Sequence, residues 1–374
     1  MLLEPNKHPL VALLTNVGKV YDGKAWKGSG MLKQSTGNPE FGWFEDTYGG
    51  RYAKNVGAIA VGDTTLTVTG AGTSSANIFT AGDLIKCART GEVMFVSARA
   101  SATTLTITRS FGTTVATAMV DGDGLYIIGN INEENASARN VNTTRSAKQT
   151  NYTQIFRTTI AVSGTEKASE LYGGPDLPYL RAKKATEHAL DIERAFWFGE
   201  KASDTSGTNS LPRRGTGGIL EFIESGNSYV QNQGGVLTAP DFNTFLREGF
   251  TYGDSTKTLF SGGYVLQSVS EIARGQIQMR PIEKSYGMKI SEWVTPFGSI
   301  NIVHHSLFVE DYAGYAFLLD MQCFKYRFMN NRDTRLRTNI QAPDVDGQID
   351  EYITECGLQR MQAPKHALLK GVTA

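Results

Sequence analysis

NYTQIFRTTIAVSG (Asn151–Gly164) leads towards DLPYLRAKKATEHALDIERAFWF (Asp176–Phe198), and what these two segments become decides the fold. In the first, Tyr152, Ile155, Phe156, Ile160 and Val162 are β-favouring and interleaved with Thr and Arg, which predicts a long strand. Gly173-Gly174-Pro175 then breaks the chain, and Asp176 with Pro178 gives a helix start. The second segment runs without a break to Gly199, which predicts one helix of roughly 34 Å at ~1.5 Å per residue. Ala185, Ala189, Ile192 and Phe196 make a narrow apolar stripe, while Lys183, Glu187 and Arg194 occupy the rest. Such a stripe suits a rod lying on a surface better than a helix wrapped in a core. A glycine-rich loop follows, reaching Ile219.

Working outward, residues 56–130 repeat themselves. DTTLTVT (Asp63–Thr69) returns 39 residues later as ATTLTIT (Ala102–Thr108), and AGDLIKC (Ala81–Cys87) returns loosely after 40 as DGDGLYI (Asp121–Ile127). Thr on one face and aliphatic residues on the other is the pattern of a half-buried strand. The two halves predict an all-β domain, a small barrel or sandwich, over residues 56–135. Segments 41–55 and 150–164 are then the outgoing and returning strands of an extended loop that carries it. Residues 1–40 have little periodicity and read as an N-terminal arm. Its Leu2, Leu3, Val11, Leu13, Leu14 and Trp26 need a surface, either on a neighbouring subunit or along their own domain. After the long helix, Thr238 with Pro240 predicts a capped helix over Phe242–Arg247. A second helix beyond Gly262-Gly263 would bury Val265, Leu266, Val269 and Ile272. Strands expected at Met288–Pro296, Ser299–Phe308, Tyr315–Asp320, Phe324–Met329, Ile349–Gly357 and Lys365–Leu369 complete a mixed sheet, so the class is α+β.

Composition narrows the function. The 374 residues carry 37 basic and 37 acidic side chains, so no global field draws in nucleic acid or anionic membrane. No apolar run approaches the ~18 residues of a membrane span. Cys87, Cys323 and Cys356 lack CxxC spacing and read as buried, reduced thiols of a protein made in a cytoplasm.

Catalytic and ligand motifs are weak. Leu259-Phe-Ser-Gly-Gly263 before a helix has the outline of a phosphate cradle but neither glycine signature, so a tight strand–helix connection is the better reading. His304 and His305 are adjacent, hence on opposite faces of a strand, and do not jointly ligate a metal. Asp344, Asp346 and Gly347 imitate part of a calcium loop without its closing ligands. No catalytic residue, cofactor or metal site is assigned. Phe41, Trp43, Phe44 and Tyr48 crowd a segment with no core of its own, which makes them candidate subunit contacts, with a core role as the alternative. Arg332, Arg335 and Arg337 are the one dense basic cluster. They suit either DNA phosphates or ion pairs across a subunit contact, and the balanced net charge favours the contact.

NYTQIF (Asn151–Phe156), DIERAF (Asp191–Phe196), TGGI (Thr216–Ile219), WVTPFGSINIV (Trp293–Val303), RDTRLRT (Arg332–Thr338) and ECGLQRMQAPKHALLKGV (Glu355–Val372), with FGWFEDTYGG (Phe41–Gly50), together resemble the major capsid proteins of tailed bacteriophages. The resemblance implies an HK-ninety-seven-type fold: N-terminal arm, extended loop, a spine helix at Asp176–Phe198, spine and peripheral domain over 165–250, and axial domain with C-terminal peripheral strands over 251–374. It implies a non-enzymatic, self-assembling shell around double-stranded DNA, located in the virion and assembled in the host bacterial cytoplasm. The partners implied are copies of itself as pentamers and hexamers, a portal at one vertex, scaffold and decoration proteins, and DNA held by weak non-specific contact, with no membrane. Two other classes stay open: a β-rich carbohydrate or host-surface binding module on a viral scaffold, and a hydrolase using His304 or His305.

Overall fold

The structure is a computed structural model that describes residues 20–21, 26–27, 32–46, 50–69, 78–135, 137–138, 146–169, 176–207, 210–276, 280–281 and 291–373. Two compact units divide the chain, one holding residues 44–148 and the other the remainder. The apolar arm residues singled out above, Trp26 aside, lie outside the described residues, as does Tyr48. The side chain of Trp26 is likewise not described.

After a minimal antiparallel ribbon of Val20–Tyr21 with Trp26–Lys27 come β1 (Lys33–Thr36) and β2 (Glu40–Glu45). Successive side chains of a strand point to opposite faces, so Phe41 and Trp43 are buried along β2 while Gly42 and Phe44 are exposed. Six strands then close a barrel: β3 (Tyr52–Asn55), β4 (Thr65–Thr69), β5 (Asp83–Cys87), β6 (Val93–Arg99), β7 (Thr104–Thr108) and β8 (Gly124–Asn130), in the ring order β3-β4-β7-β6-β5-β8. Leu66, Val68, Ile85, Met94, Val96, Leu105 and Leu125 fill it. The sequence repeat becomes a two-fold relation. Leu66 of β4 lies opposite its own equivalent, Leu105 of β7, and Lys86 of β5 lies opposite its equivalent, Tyr126 of β8. Exchanging β3 with β6, β4 with β7 and β5 with β8 returns every pairing of the ring to itself. The turns repeat as well: the Thr80 N–H donates to Asp83 Oδ2 (2.7 Å), and the Val120 N–H donates to Asp123 Oδ2 (2.9 Å).

One boundary expected from the sequence is corrected here. Tyr52–Asn55 is not part of the carrying loop but the first barrel strand. Only Ala53 and Asn55 point inward from it, whereas its equivalent in the second half supplies Met94 and Val96, so the short polar copy gives no recognisable strand signal.

The chain returns through β9 (Ala147–Tyr152), which pairs with β2 as a two-stranded ribbon, and continues as β10 (Gln154–Ser163). The single-turn α1 (Gly164–Ala168) and the long α2 (Asp176–Phe198) follow. The polar loop expected after α2 contains a hairpin, β11 (Ala202–Asp204) with β12 (Arg213–Gly215). Next come α3 (Ile219–Ser225), β13 (Tyr229–Gly235), α4 (Ala239–Gly249), β14 (Thr256–Ser261) and α5 (Gly263–Gln276). The last strands are β15 (Arg280–Pro281), β16 (Ser291–Thr295), β17 (Gly298–His304), β18 (Ala316–Leu319), β19 (Phe324–Met329), β20 (Arg335–Arg337), β21 (Gly347–Arg360) and β22 (Ala367–Val372).

These strands build two sheets. One runs β10-β21-β19-β1, with β20 also beside β21; the other runs β13-β22-β18-β14-β17-β16-β15. The second is mixed, since β14 is parallel to β17 and antiparallel to β18. Its residues alternate between two cores. Phe260, Phe317, Leu319 and Leu368 face the end of α2 and α3. Leu259, Leu318, Ala367 and Leu369 face α4 and α5. Thr238 caps α4, its hydroxyl accepting from the Asp241 N–H, as the capping signature predicts.

The long helix has the expected bounds but not the expected setting. Its first turns are half-exposed, whereas His188, Leu190, Ile192, Glu193, Phe196 and Trp197 are buried, and Trp197 sits inside the core shared by the two sheets. The apolar stripe underestimated this burial because Glu193 and Trp197, four residues apart, satisfy each other and enter the core together. Burial thus widens towards the C-terminal end.

Candidate functional site

The strings that carry the resemblance converge on two buried polar nodes. At the first, the fully buried Asn151 amide donates to the carbonyls of Leu358 (2.7 Å) and Gly217 (3.0 Å) and to Thr216 Oγ1 (3.3 Å). Its carbonyl oxygen accepts from the N–H groups of Gly217 (2.8 Å) and Tyr152 (2.9 Å). One side chain so ties strand β9, the Thr216–Gly218 turn and strand β21 together. Arg360 closes the node, donating to the Gly218 carbonyl and to Glu221 Oε2.

At the second node the Leu307 N–H donates to His305 Nδ1 (3.3 Å), which places the ring proton on Nε2. That proton is donated to Glu193 Oε1 (3.0 Å), which also accepts from Trp197 Nε1 (3.0 Å). The imidazole stacks on Phe308, with ring centroids 4.6 Å apart. His305 and Glu193 are fully buried, and the pair acts as a lock between α2 and the end of β17. His304 is exposed on the opposite face, as the adjacency of the two histidines requires.

Other buried polar groups also serve the scaffold. His188, its pKa lowered by burial, bridges Thr158 (2.9 Å) and Thr354 (2.7 Å) between α2 and the sheet beneath it. His366 accepts from the Asp320 N–H and donates to the Met361 carbonyl; burial lowers its pKa to about 4. The Lys257 ammonium donates to the carbonyls of Gly249, Tyr252 and Lys365, and burial lowers its pKa to about 8. Cys87, Cys323 and Cys356 are buried and unpaired with one another. Among the described residues no group of three His, Cys, Asp or Glu side chains could hold a metal, and no helix is long and apolar enough to cross a membrane. Leu259–Gly263 is a tight connection from β14 into α5, with the Gly262 N–H donating to the Tyr315 carbonyl.

The candidate contact residues separate. Phe41 and Trp43 stack on each other, with centroids 6.1 Å apart, and both are buried in their own subunit. The Phe41 ring lies against Gly357, where a Cβ would come within 2.9 Å of it, and the Arg327 guanidinium sits above it. Gly357 of β21 thus gives the Phe41 ring a surface that its local sequence lacks. Phe44, on the opposite face of β2, is 72% exposed. Arg332 pairs with Glu355. Arg335 and Arg337 are exposed on β20 and make no ion pair among the described residues. On the barrel, half-buried Tyr52 and exposed Tyr126 form a second aromatic pair, 4.7 Å apart, over Gly124. Asn151, Trp197 and Gly357 carry no role that is legible from residue type or spacing. The one available signal was that each falls in or beside a string of the resemblance.

A sequence model of the SU10 major capsid protein family matches residues 1–373. The chain belongs to that family. A major capsid protein of Pseudomonas phage PaMx41 is 25% identical over 254 residues, which span 64% of this chain and 60% of that relative. Among solved structures, the capsid asymmetric unit of Cyanophage A-1(L) gives a TM-score of 0.45 at 10% identity, over 66% of this chain and 85% of that one. The holo-SrpI encapsulin complex of Synechococcus elongatus gives 0.43 at 11% identity, over 62% and 77%.

Proposed function

We propose that this chain is the repeating subunit of the shell that encloses the double-stranded DNA of a tailed phage, built on the HK-ninety-seven-type plan. The observation that carries this reading is the family match across residues 1–373. This one subunit type occupies both pentamers and hexamers, with a portal at one vertex and scaffold or decoration proteins as further partners. The chain is a virion component assembled in the host cytoplasm and is not an enzyme; the sealed setting of His305 supports this. α2 acts as the spine, the β2–β9 ribbon as the extended loop, and the seven-stranded sheet as the axial domain. The two locks described above support a subunit that must transmit contact forces without deforming. Affinity comes from extended contacts repeated around the shell. Electron microscopy of the expressed protein tests the reading: shells or capsomers are expected, and only discrete monomers at high concentration would refute it.

Tyr126, exposed on the barrel beside Tyr52, favours one secondary reading, an outward carbohydrate or host-surface contact through the barrel. Glycan binding that is lost in Tyr126→Ala while particles persist is its test.

A further inference from the structure

The barrel has two unlike walls, one at each end of its internal two-fold. Across β4 and β7 the side chains that point away from the interior are threonines, Thr65 opposite Thr106 and Thr67 opposite Thr104. Across β3, β8, β5 and β6 they are aromatic, aliphatic and cationic. One row runs Tyr52–Tyr126–Lys86–Val93 in directly opposed pairs. Lys54 stands opposite Gly124 on one side of this row, and Leu84 opposite Phe95 forms an apolar shoulder on the other. No outward side chain of these four strands is acidic.

Tyr126 occupies the middle of the row and is 47% exposed. Gly124 sets the attitude of its ring. A Cβ there would come within 3.0 Å of the Tyr52 ring and 3.5 Å of the Tyr126 ring, so both rings lie against bare backbone. A side chain held in this way loses little further freedom when a ligand settles on it. Lys86 is the direct cross-strand neighbour of Tyr126, with Cβ atoms ~5 Å apart, and Lys54 is a diagonal neighbour at roughly 7 Å. Both lysines are exposed, and neither ammonium has an ion pair, hydrogen bond or ring contact among the described residues.

We propose that this wall of the barrel is a binding site for an acidic polysaccharide, with a sugar ring lying on Tyr126 and carboxylates of the sugar chain pairing with Lys54 and Lys86. The proposal rests on the carbohydrate reading of the barrel and narrows it to one chemical class. Tyrosine offers an apolar ring face with a polar tip, which matches a sugar with an apolar C–H face and a hydroxylated rim. A neutral sugar would use the ring and leave both cations idle, whereas a carboxylated one engages all three groups. A protein partner calls for an apolar centre depleted of charge, but here the cations stand in and beside the row of the ring. Single-stranded nucleic acid calls for successive stacking platforms along a basic groove. Tyr52 is half-buried, which leaves Tyr126 as the one open platform of the row.

Isothermal titration of the full-length protein with an oligogalacturonate and with its methyl ester tests this, since the two probes share their sugar rings and differ in charge. Wild type should bind the acid about tenfold more tightly than the ester, and the difference should fade towards about 1 M salt. Lys54→Gln/Lys86→Gln should bring acid and ester to one affinity, and Lys54→Arg/Lys86→Arg should keep them apart. Tyr126→Ala should abolish binding of both probes; Tyr126→Phe, which keeps the ring, should retain it and guards against a misfolded alanine variant. Thr65→Gln on the opposite wall should change nothing. Equal affinity for acid and ester in wild type overturns the proposal and leaves the carbohydrate reading standing. Binding of neither probe sinks both. Displacement of the oligogalacturonate by a lower concentration of single-stranded oligo-dT overturns the proposal in favour of nucleic acid.

Discussion

Replacing Asn151 separates a hydrogen-bonding role from a space-filling one. Asn151→Ala strips the Leu358 and Gly217 carbonyls of a donor and the Gly217 N–H of its acceptor, all around a fully buried side chain. At ~1–3 kcal/mol per group left unsatisfied, and with partial relaxation, the loss should be about 3–5 kcal/mol. That is a large share of the ~5–15 kcal/mol that typically holds a domain together. Asn151→Asp keeps the shape and the acceptor but removes both donors and sets a carboxylate against two carbonyl oxygens. Burial of an uncompensated charge should make it at least as damaging as alanine, although it is the closer isostere. The assay is urea unfolding of free subunits followed by the helical circular-dichroism signal. The described helices all lie outside residues 44–148, so this signal reports the unit that contains Asn151. A midpoint lower by about 1–2 M is expected for either variant. An aspartate variant within ~0.5 kcal/mol of wild type would refute the assignment of donors to Asn151.

Acid should weaken the same unit through His366. Its pKa falls from 6.5 to about 4 on folding, so the unfolded chain binds the extra proton between those values and stability declines as pH drops from 6.5 to 4. The loss is about 3 kcal/mol, and His366→Asn, which cannot titrate, should flatten that limb in thermal melts at stepped pH. Phe41→Ala/Trp43→Ala should lower the melting temperature of free subunits, whereas Phe44→Ala should leave it unchanged and be felt only in sedimentation of assembled particles. Replacing residues 46–146 by a short Gly/Ser linker between the paired strands β2 and β9 should preserve the helical signal; its complete loss would show that the barrel is not a separable unit.

Element types and most bounds were legible because long periodic segments announce themselves: α2 was read to its final residue, and the capped start of α4 followed from Thr238 and Pro240. What escaped depends on partners distant in sequence. Glu193 reads as part of a solvated face until His305 is placed beside it, 112 residues away. Phe41 reads as an ownerless aromatic until β21 brings Gly357 beneath it. The arginine cluster was visible at 332–337, but Arg157 joins it only through strand register. Tyr52–Asn55 failed for a local reason, since four residues with one small apolar side chain carry no periodicity to detect.

The self-mapping ring of the barrel has an ancestry written into it. A pattern in which each half meets its own equivalent across two rows is that of an isologous dimer, one three-stranded sequence of about 40 residues used twice. Joining the copies in one gene turns a concentration-dependent association into closure within a chain, at an effective concentration in the millimolar range. Each of the six strands is paired on both sides within one chain, so the closed ring leaves no open edge for a further strand to join.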